Sequence, residues 1–281
     1  MDLKLSTTAE EFLSWYRKIL EKYDAETQLF IVNLQNYAIN GVLKENVMGG
    51  IYDQGELVML FLNASPWNLQ IFELKESKEA CEKLAKFLVE NKIPISGINA
   101  SFNTGLFFRE AYSEQSGRLF TLRTAMDIMV LKKLKDIPLS AGSAELAKLE
   151  DADLLSEYLV NFNFDCFHQA HEKAEFLELV NKKITSGTLY VFRDPEGRIV
   201  TICGVSPRTF KGMALNLVYT HPDFRNRGYC QTLVHWVCEQ KLKSGSEYCT
   251  LFVDKTNPRS NRAYSKVGFE IVKDNYDYQL L

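Results

Sequence analysis

The stretch from Leu215 to Phe269 constrains the chain most. An apolar, strand-like run ends at Thr220, a basic loop follows (His221, Pro222, Asp223, Phe224, Arg225, Asn226, Arg227, Gly228), and an apolar helical pattern starts at Tyr229 without a spacer. The first amides of a helix have no partner within it, and the helix dipole favours negative charge there. A strand that feeds a helix through a short basic loop with a glycine is therefore a place to hold a phosphate. The rest of the chain must be an α/β structure that presents it.

At 281 residues the chain is long for one compact core and comfortable for two. Its composition, 46% hydrophobic and 25% charged, is that of a globular protein. A net charge of -3 argues against nucleic acid as a partner, which calls for a strongly basic face. Met1 to Glu10 lacks the apolar core of a signal peptide, and no uncharged run is long enough to span a bilayer. The expectation is a cytoplasmic protein with no membrane partner. The six cysteines include no Cys-x-x-Cys pair, and His168 and His171 have no second ligand pair nearby. Buried thiols and no metal are predicted.

Hydrophobic period assigns the elements. Thr7 three residues before Glu10 has capping-box spacing, and Phe12, Leu13, Tyr16, Ile19, Leu20 and Tyr23 share a helical face. A second helix is predicted over Leu29 to Leu43. Strands follow at Gly49 to Tyr52, Glu56 to Asn63 and Asn68 to Glu73, then a helix from Ser77 to Asn91, a strand at Ile95 to Ile98, a helix at Thr104 to Ser113 and a strand at Leu119 to Val130. The charged, proline-bearing stretch Lys132 to Ala141 reads as a boundary, giving domains 1–136 and 137–281. The second half repeats the order. Ala144 to Leu149 is a strand, Asp151 to Phe162 and His171 to Lys183 are helices, and Thr188 to Arg193, Arg198 to Val205 and Met213 to Thr220 are strands. Helix Tyr229 to Lys243, strand Tyr248 to Asp254 and helix Pro258 to Lys266 complete it. Two tandem copies of one fold are expected.

The loop lacks the Gly-Lys-Ser/Thr ending of a nucleoside-triphosphate loop, and no Gly-x-Gly-x-x-Gly follows a strand. What remains is Arg225-x-x-Gly228-x-Cys230, with Asn257-Pro258-Arg259-Ser260-Asn261-Arg262-Ala263-Tyr264-Ser265-Lys266-Val267-Gly268-Phe269 further on. Together, in this order, the two motifs resemble those of the Gcn5-related N-acetyltransferases. The first is similar to the acyl-CoA loop Gln/Arg-x-x-Gly-x-Gly/Ala, the second to Asn-x-x-(Ala/Ser)-x-x-x-Tyr-x-x-x-Gly-Phe. The match covers Thr201 to Asp274. The first half has no Arg-x-x-Gly-x-Gly/Ala before its helix at Ser77 and resembles a degenerate copy.

The resemblance implies a mixed, mostly antiparallel central sheet flanked by helices, with acetyl-CoA as co-substrate and no metal. It implies an acetyltransferase acting on a primary amine of a small molecule or a protein, as a monomer or a homodimer. Leu217, Val218 and Tyr219 would offer a main-chain amide to the thioester carbonyl. Arg225, Asn226, Arg227, Gly228, Tyr229, Cys230 and Gln231 would cradle the pyrophosphate, and Asn257, Ser260, Asn261 and Tyr264 would meet the rest of the cofactor. Tyr264 would assist the departing thiolate; Asp254, His221 and Asp223 are candidates by position for the base, with a water chain as an equal alternative. Cys230 stands where the family has glycine or alanine, and a small packed side chain is favoured there over an acyl carrier. The reading from another class is a non-catalytic acyl-CoA-binding module.

Overall fold

The computed structural model describes residues 1–41 and 46–281. In chain order the elements are β1 (Asp2–Ser6), α1 (Ala9–Lys22), α2 (Gln28–Asn40), β2 (Met48–Asp53), β3 (Glu56–Leu62), β4 (Leu69–Glu73), α3 (Lys78–Glu90), β5 (Gly97–Ala100), α4 (Phe102–Ser116) and β6 (Phe120–Leu131). They continue as β7 (Ser143–Leu146), α5 (Ala152–Phe167), α6 (Lys173–Thr185), β8 (Leu189–Arg193), β9 (Ile199–Val205), β10 (Gly212–Thr220), α7 (Tyr229–Lys243), β11 (Tyr248–Asp254), α8 (Pro258–Val267) and β12 (Glu270–Leu280). The end of the helix expected over Leu29 to Leu43 lies outside the described residues. The residues group into two compact units. One is Met1–Ile128 with Asp254–Thr256 and Ile271–Leu281; the other is Met129–Val253 with Asn257–Glu270.

In the first unit β1 to β4 pair antiparallel in sequence order, β4 pairs parallel with β5, and β12 runs antiparallel to β5. Two of its strands, β1 and β12, are not among the elements assigned from the sequence. β1 alternates Leu3 and Leu5 with Asp2, Lys4 and Ser6, but the run is only five residues long and largely exposed; it matches β2 from Asp2↔Tyr52 to Ser6↔Met48. β12 places Asp277, only 4% exposed, inside the sheet. Asn68 Nδ2 donates to that carboxylate at 2.7 Å and Arg123 pairs with it, which is what makes a buried charge tolerable there. The cap of α1 also lies one residue later than expected. Thr8 Oγ1 accepts from Glu11 N at 3.1 Å, and Glu11 Oε2 accepts from Thr7 N at 2.7 Å. Starting at Ala9 turns Ala9, Phe12, Tyr16 and Leu20 to the core together, so burial decides which threonine caps.

In the second unit β7, β8, β9 and β10 pair antiparallel in order, and β10 and β11 pair parallel. β8 shows how the sheet divides two cores. Leu189 and Val191 pack with Leu155, Leu159 and Val180 of α5 and α6, while Tyr190 and Phe192 pack with Leu233, Val234 and Val237 of α7. Strand side chains alternate between faces, so one apolar run serves both layers. Each fully buried aliphatic side chain of α7 contributes about 1.5–3 kcal/mol. That anchorage fixes the helix whose N-terminus carries the basic loop.

Candidate active site

The site begins with a defect in β10. Leu215↔Val205 and Asn216↔Gly204 share one register with β9, but Tyr219↔Ile202 and Thr220↔Thr201 are shifted by an inserted residue. Leu217 takes up the insertion at φ 49°, a conformation that a branched residue adopts only under constraint. The bulge reverses side-chain direction: Leu215 faces the α7 core, while Leu217 packs on the α5 and α6 side and Val218 turns back. On the other edge, pairing of β10 with β11 spans only Gly212↔Tyr248 to Ala214↔Thr250, although both strands continue. The strands part just where the bulge lies, and main-chain groups there are released from the ladder. The Tyr219 ring is not at the opening. It is buried edge-on against Tyr158, with ring centroids 5.4 Å apart, so a ligand could meet Tyr219 only through its backbone.

The basic loop follows at once. Asn226 (φ 65°) and Gly228 (φ 80°) both lie in the left-handed region, and α7 starts at Tyr229. The backbone amides of Asn226, Arg227, Gly228, Tyr229, Cys230 and Gln231 make no hydrogen bond among the described residues; Thr232 N, which donates to Gly228 O at 3.0 Å, is the first that does. Such a run of unpaired donors at a helix start is an anion site. The loop opens on a cavity of about 920 Å³ whose other walls are residues 135–140 and α8. Lys135, Arg227, Arg262 and Lys266 line it against one acid, Asp136. Arg227 is exposed and makes no ion pair among the described residues. Arg225 is committed elsewhere: its Nε donates to Thr220 O at 2.9 Å and its guanidinium pairs with Asp165 at 2.6 Å. The structure thus separates the two arginines, one shaping the loop and one facing the cavity.

α8 carries the second motif. Asn257 caps it, Oδ1 accepting from Ser260 N at 3.1 Å, and Asn261 Nδ2 donates to Asn257 O at 2.8 Å. Tyr264 lies two turns in, 7% exposed, with its ring 5.9 Å from Phe269. Its hydroxyl makes no hydrogen bond among the described residues, and it is not among the fully buried polar atoms left without a partner, so the oxygen reaches an accessible surface while the ring is buried. Burial, then the thiols of Cys230, Cys203 and Cys166, push this phenol well above its ordinary pKa. Asp254 Oδ1 accepts from Thr256 N and from Thr256 Oγ1, both at 2.7 Å, the geometry of a turn after a strand. His221 and Asp223 face one another, with Asp223 N donating to His221 Nδ1 at 3.4 Å.

Cys230 is half-buried in the first turn of α7, and burial pushes its thiol up to about 11, against a hydrogen bond with the Thr220 side chain that lowers it. Near pH 7 only about one such thiol in ten thousand is ionised, too few for a nucleophile. Cys230→Ala therefore keeps kcat and the acetyl-CoA Kd within about twofold; loss of turnover in steady-state assays would restore the acyl-carrier idea.

Sequence reading missed the third wall. Residues 135–140 fall in a stretch that reads as linker, yet Lys135 N donates to Val267 O at 3.0 Å and Ser140 Oγ donates to Arg227 O at 2.8 Å. Nothing in their spacing signals this, because the contacts are long-range. Among the described residues no group of three or more His, Cys, Asp or Glu side chains is placed to hold a metal ion, and no helix is long and apolar enough to cross a membrane.

Comparison with known proteins places this geometry. Residues 154–269 match the family model of the acetyltransferase (GNAT) family. A search of curated proteins gives no match. Among solved structures, the chain is similar to a GNAT-family acetyltransferase from Colwellia psychrerythraea, with TM-score 0.56 and 13% identity, covering 100% of this chain and 99% of that one. It is similar also to a Gcn5-related N-acetyltransferase from Sphaerobacter thermophilus, with TM-score 0.57, 16% identity and coverage of 92% and 91%. A Drosophila protein gives TM-score 0.64 at 12% identity, with coverage of 99% and 98%. At such identities the likeness is one of fold. The matched segment, residues 154–269, contains the bulged strand, the basic loop and the tyrosine helix, and it is this segment of the chain that is similar to the acetyltransferase (GNAT) family.

Proposed function

We propose that the chain transfers an acetyl group from acetyl-CoA to a primary amine, by direct attack of the amine within a ternary complex. The observation that carries this reading is the run of six unpaired amides, Asn226 to Gln231, at the mouth of a basic cavity beside parted strands. Arg227 and these amides receive the pyrophosphate, and Gln231 and Asn261 line the same space. Asn257, with Oδ1 used as a cap, keeps its Nδ2 hydrogens for the pantetheine arm. A main-chain amide of the Leu217 to Tyr219 bulge polarises the thioester carbonyl as the amine nitrogen bonds to its carbon.

The carbon–sulfur bond then breaks and the sulfur leaves as thiolate. A phenol of reference pKa about 10 protonating a thiolate whose acid has pKa about 8.5 is uphill by about 2 kcal/mol, and burial of Tyr264 widens the gap. Tyr264 therefore donates a hydrogen bond to the sulfur without surrendering its proton beforehand. An alkyl ammonium of pKa about 10.4 must lose a proton to attack, at a cost of about 4.5 kcal/mol near pH 7. With Asp254 engaged in its turn, that proton passes to water in this reading. The first unit takes no part in acyl transfer: seven residues after its helix cap Ser101 stands Phe108, fully buried and without a hydroxyl.

Two measurements test this. Acetyl-CoA at about a hundred times its Kd adds about 2.7 kcal/mol to stability, read as a rise in Tm; no rise sinks the reading. Thiol release from acetyl-CoA across a panel of amines then separates an enzyme from a non-catalytic binder, which would show the first effect without the second.

A further inference from the structure

A phosphate held by consecutive amides sets a condition on the carbonyls between them, which must turn away from the anion and find donors elsewhere. Two of these carbonyls, those of Arg227 and Gly228 on either side of the Arg227–Gly228 peptide, show how this is met. Gly228 O accepts from Thr232 N at 3.0 Å and from Thr232 Oγ1 at 3.1 Å, within its own helix. Arg227 O has no such neighbour in the helix, and its donor is Ser140 Oγ at 2.8 Å. The same serine closes the circuit from its main chain, Ser140 N donating to Thr232 Oγ1 at 2.9 Å. Its segment is anchored at the far end by Lys135, whose N donates to Val267 O at 3.0 Å and whose Nζ donates to Ser265 O at 3.2 Å.

The backbone alone does not fix this arrangement. Asn226 at φ 65° and Gly228 at φ 80° flank Arg227, and both residue types tolerate either hand. Rotation of the peptide between Arg227 and Gly228 would point a carbonyl at the anion in place of an amide. We propose that Ser140 is a positioning residue that locks this peptide with its amide toward the cavity, so that acetyl-CoA affinity depends on a side chain outside both family motifs. The inference rests on the acetyl-CoA reading above.

The test compares the full chain with Ser140→Ala and Ser140→Thr, using calorimetric Kd values for acetyl-CoA and for acetyl-pantetheine, which carries the thioester but no phosphate. Loss of one hydrogen bond that orders the loop raises the acetyl-CoA Kd of Ser140→Ala about tenfold. The acetyl-pantetheine Kd stays within about twofold, and Ser140→Thr, which keeps the hydroxyl, recovers most of the loss. Equal acetyl-CoA affinity in wild type and Ser140→Ala overturns the lock while leaving the proposed function intact. Equal weakening for both ligands, or no recovery by Ser140→Thr, overturns it as well and makes Ser140 merely structural. A wild-type chain that does not bind acetyl-CoA overturns the functional reading and the lock together.

Discussion

Tyr264→Phe lowers kcat by about a hundredfold or more and leaves the acetyl-CoA Kd within about twofold. The hydroxyl makes no hydrogen bond among the described residues, so its removal breaks no protein contact. The ring that remains keeps its place among Phe269, Val267 and Leu233. Both features separate this substitution from an ordinary core change, whose cost would appear in stability. A donor that acts only when negative charge forms on sulfur stabilises the transition state and not the ground state, so the loss falls on kcat. The direction of its pKa adds a second readout. A phenol held well above its ordinary range stays protonated across the working pH range, so it supplies no limb to the pH–rate profile. Wild type and variant then share the same profile shape at different heights. A variant with unchanged kcat would remove Tyr264 from the chemistry, and a variant lacking an alkaline limb present in wild type would show that the phenol titrates.

The two motifs were legible because each is local. Arg225 to Cys230 and Asn257 to Phe269 are short segments whose residue types answer to their own backbone: a glycine at positive φ, an asparagine capping a helix, a tyrosine two turns in. The helices and most strands were legible for the same reason, and α7 and β11 begin and end where hydrophobic period places them. What escaped reading depends on partners distant in sequence. β12 looks polar because Asp277 is written into it, and only Asn68 and Arg123 make that residue tolerable. β1 does alternate, with Leu3 and Leu5, but five mostly exposed residues are too short a run to stand out. Ser140 sits in a stretch that composition assigns to a linker, and its meaning comes from Arg227 and Thr232. Arg225 shows the converse: its motif position points to phosphate, but Asp165, sixty residues earlier, claims its guanidinium.

Gly228→Ala should be the most damaging change to acetyl-CoA binding, and it follows from the same contacts. At φ 80° an added Cβ costs about 1–2 kcal/mol from backbone sterics alone. That Cβ would also stand 2.7 Å from Ser140 Oγ, so either the Ser140 hydroxyl rotates off Arg227 O or the loop shifts. Either movement disturbs the orientation of the amides from Asn226 to Gln231. The displaced amides correspond to about a hundredfold rise in the acetyl-CoA Kd, or about 2.7 kcal/mol, while the backbone cost appears as a lower Tm. A matched control exists within the same unit. Gly197 has nearly the same conformation, φ 81°, in the turn between β8 and β9, and an added Cβ there meets nothing within 4 Å. Gly197→Ala therefore suffers the backbone cost as a lower Tm and binds acetyl-CoA as wild type does. Calorimetric titration of both variants separates strain from site. Equal Kd values for the two would mean that the loop does not hold the phosphates, and the acyl-CoA site would have to be sought elsewhere in the unit.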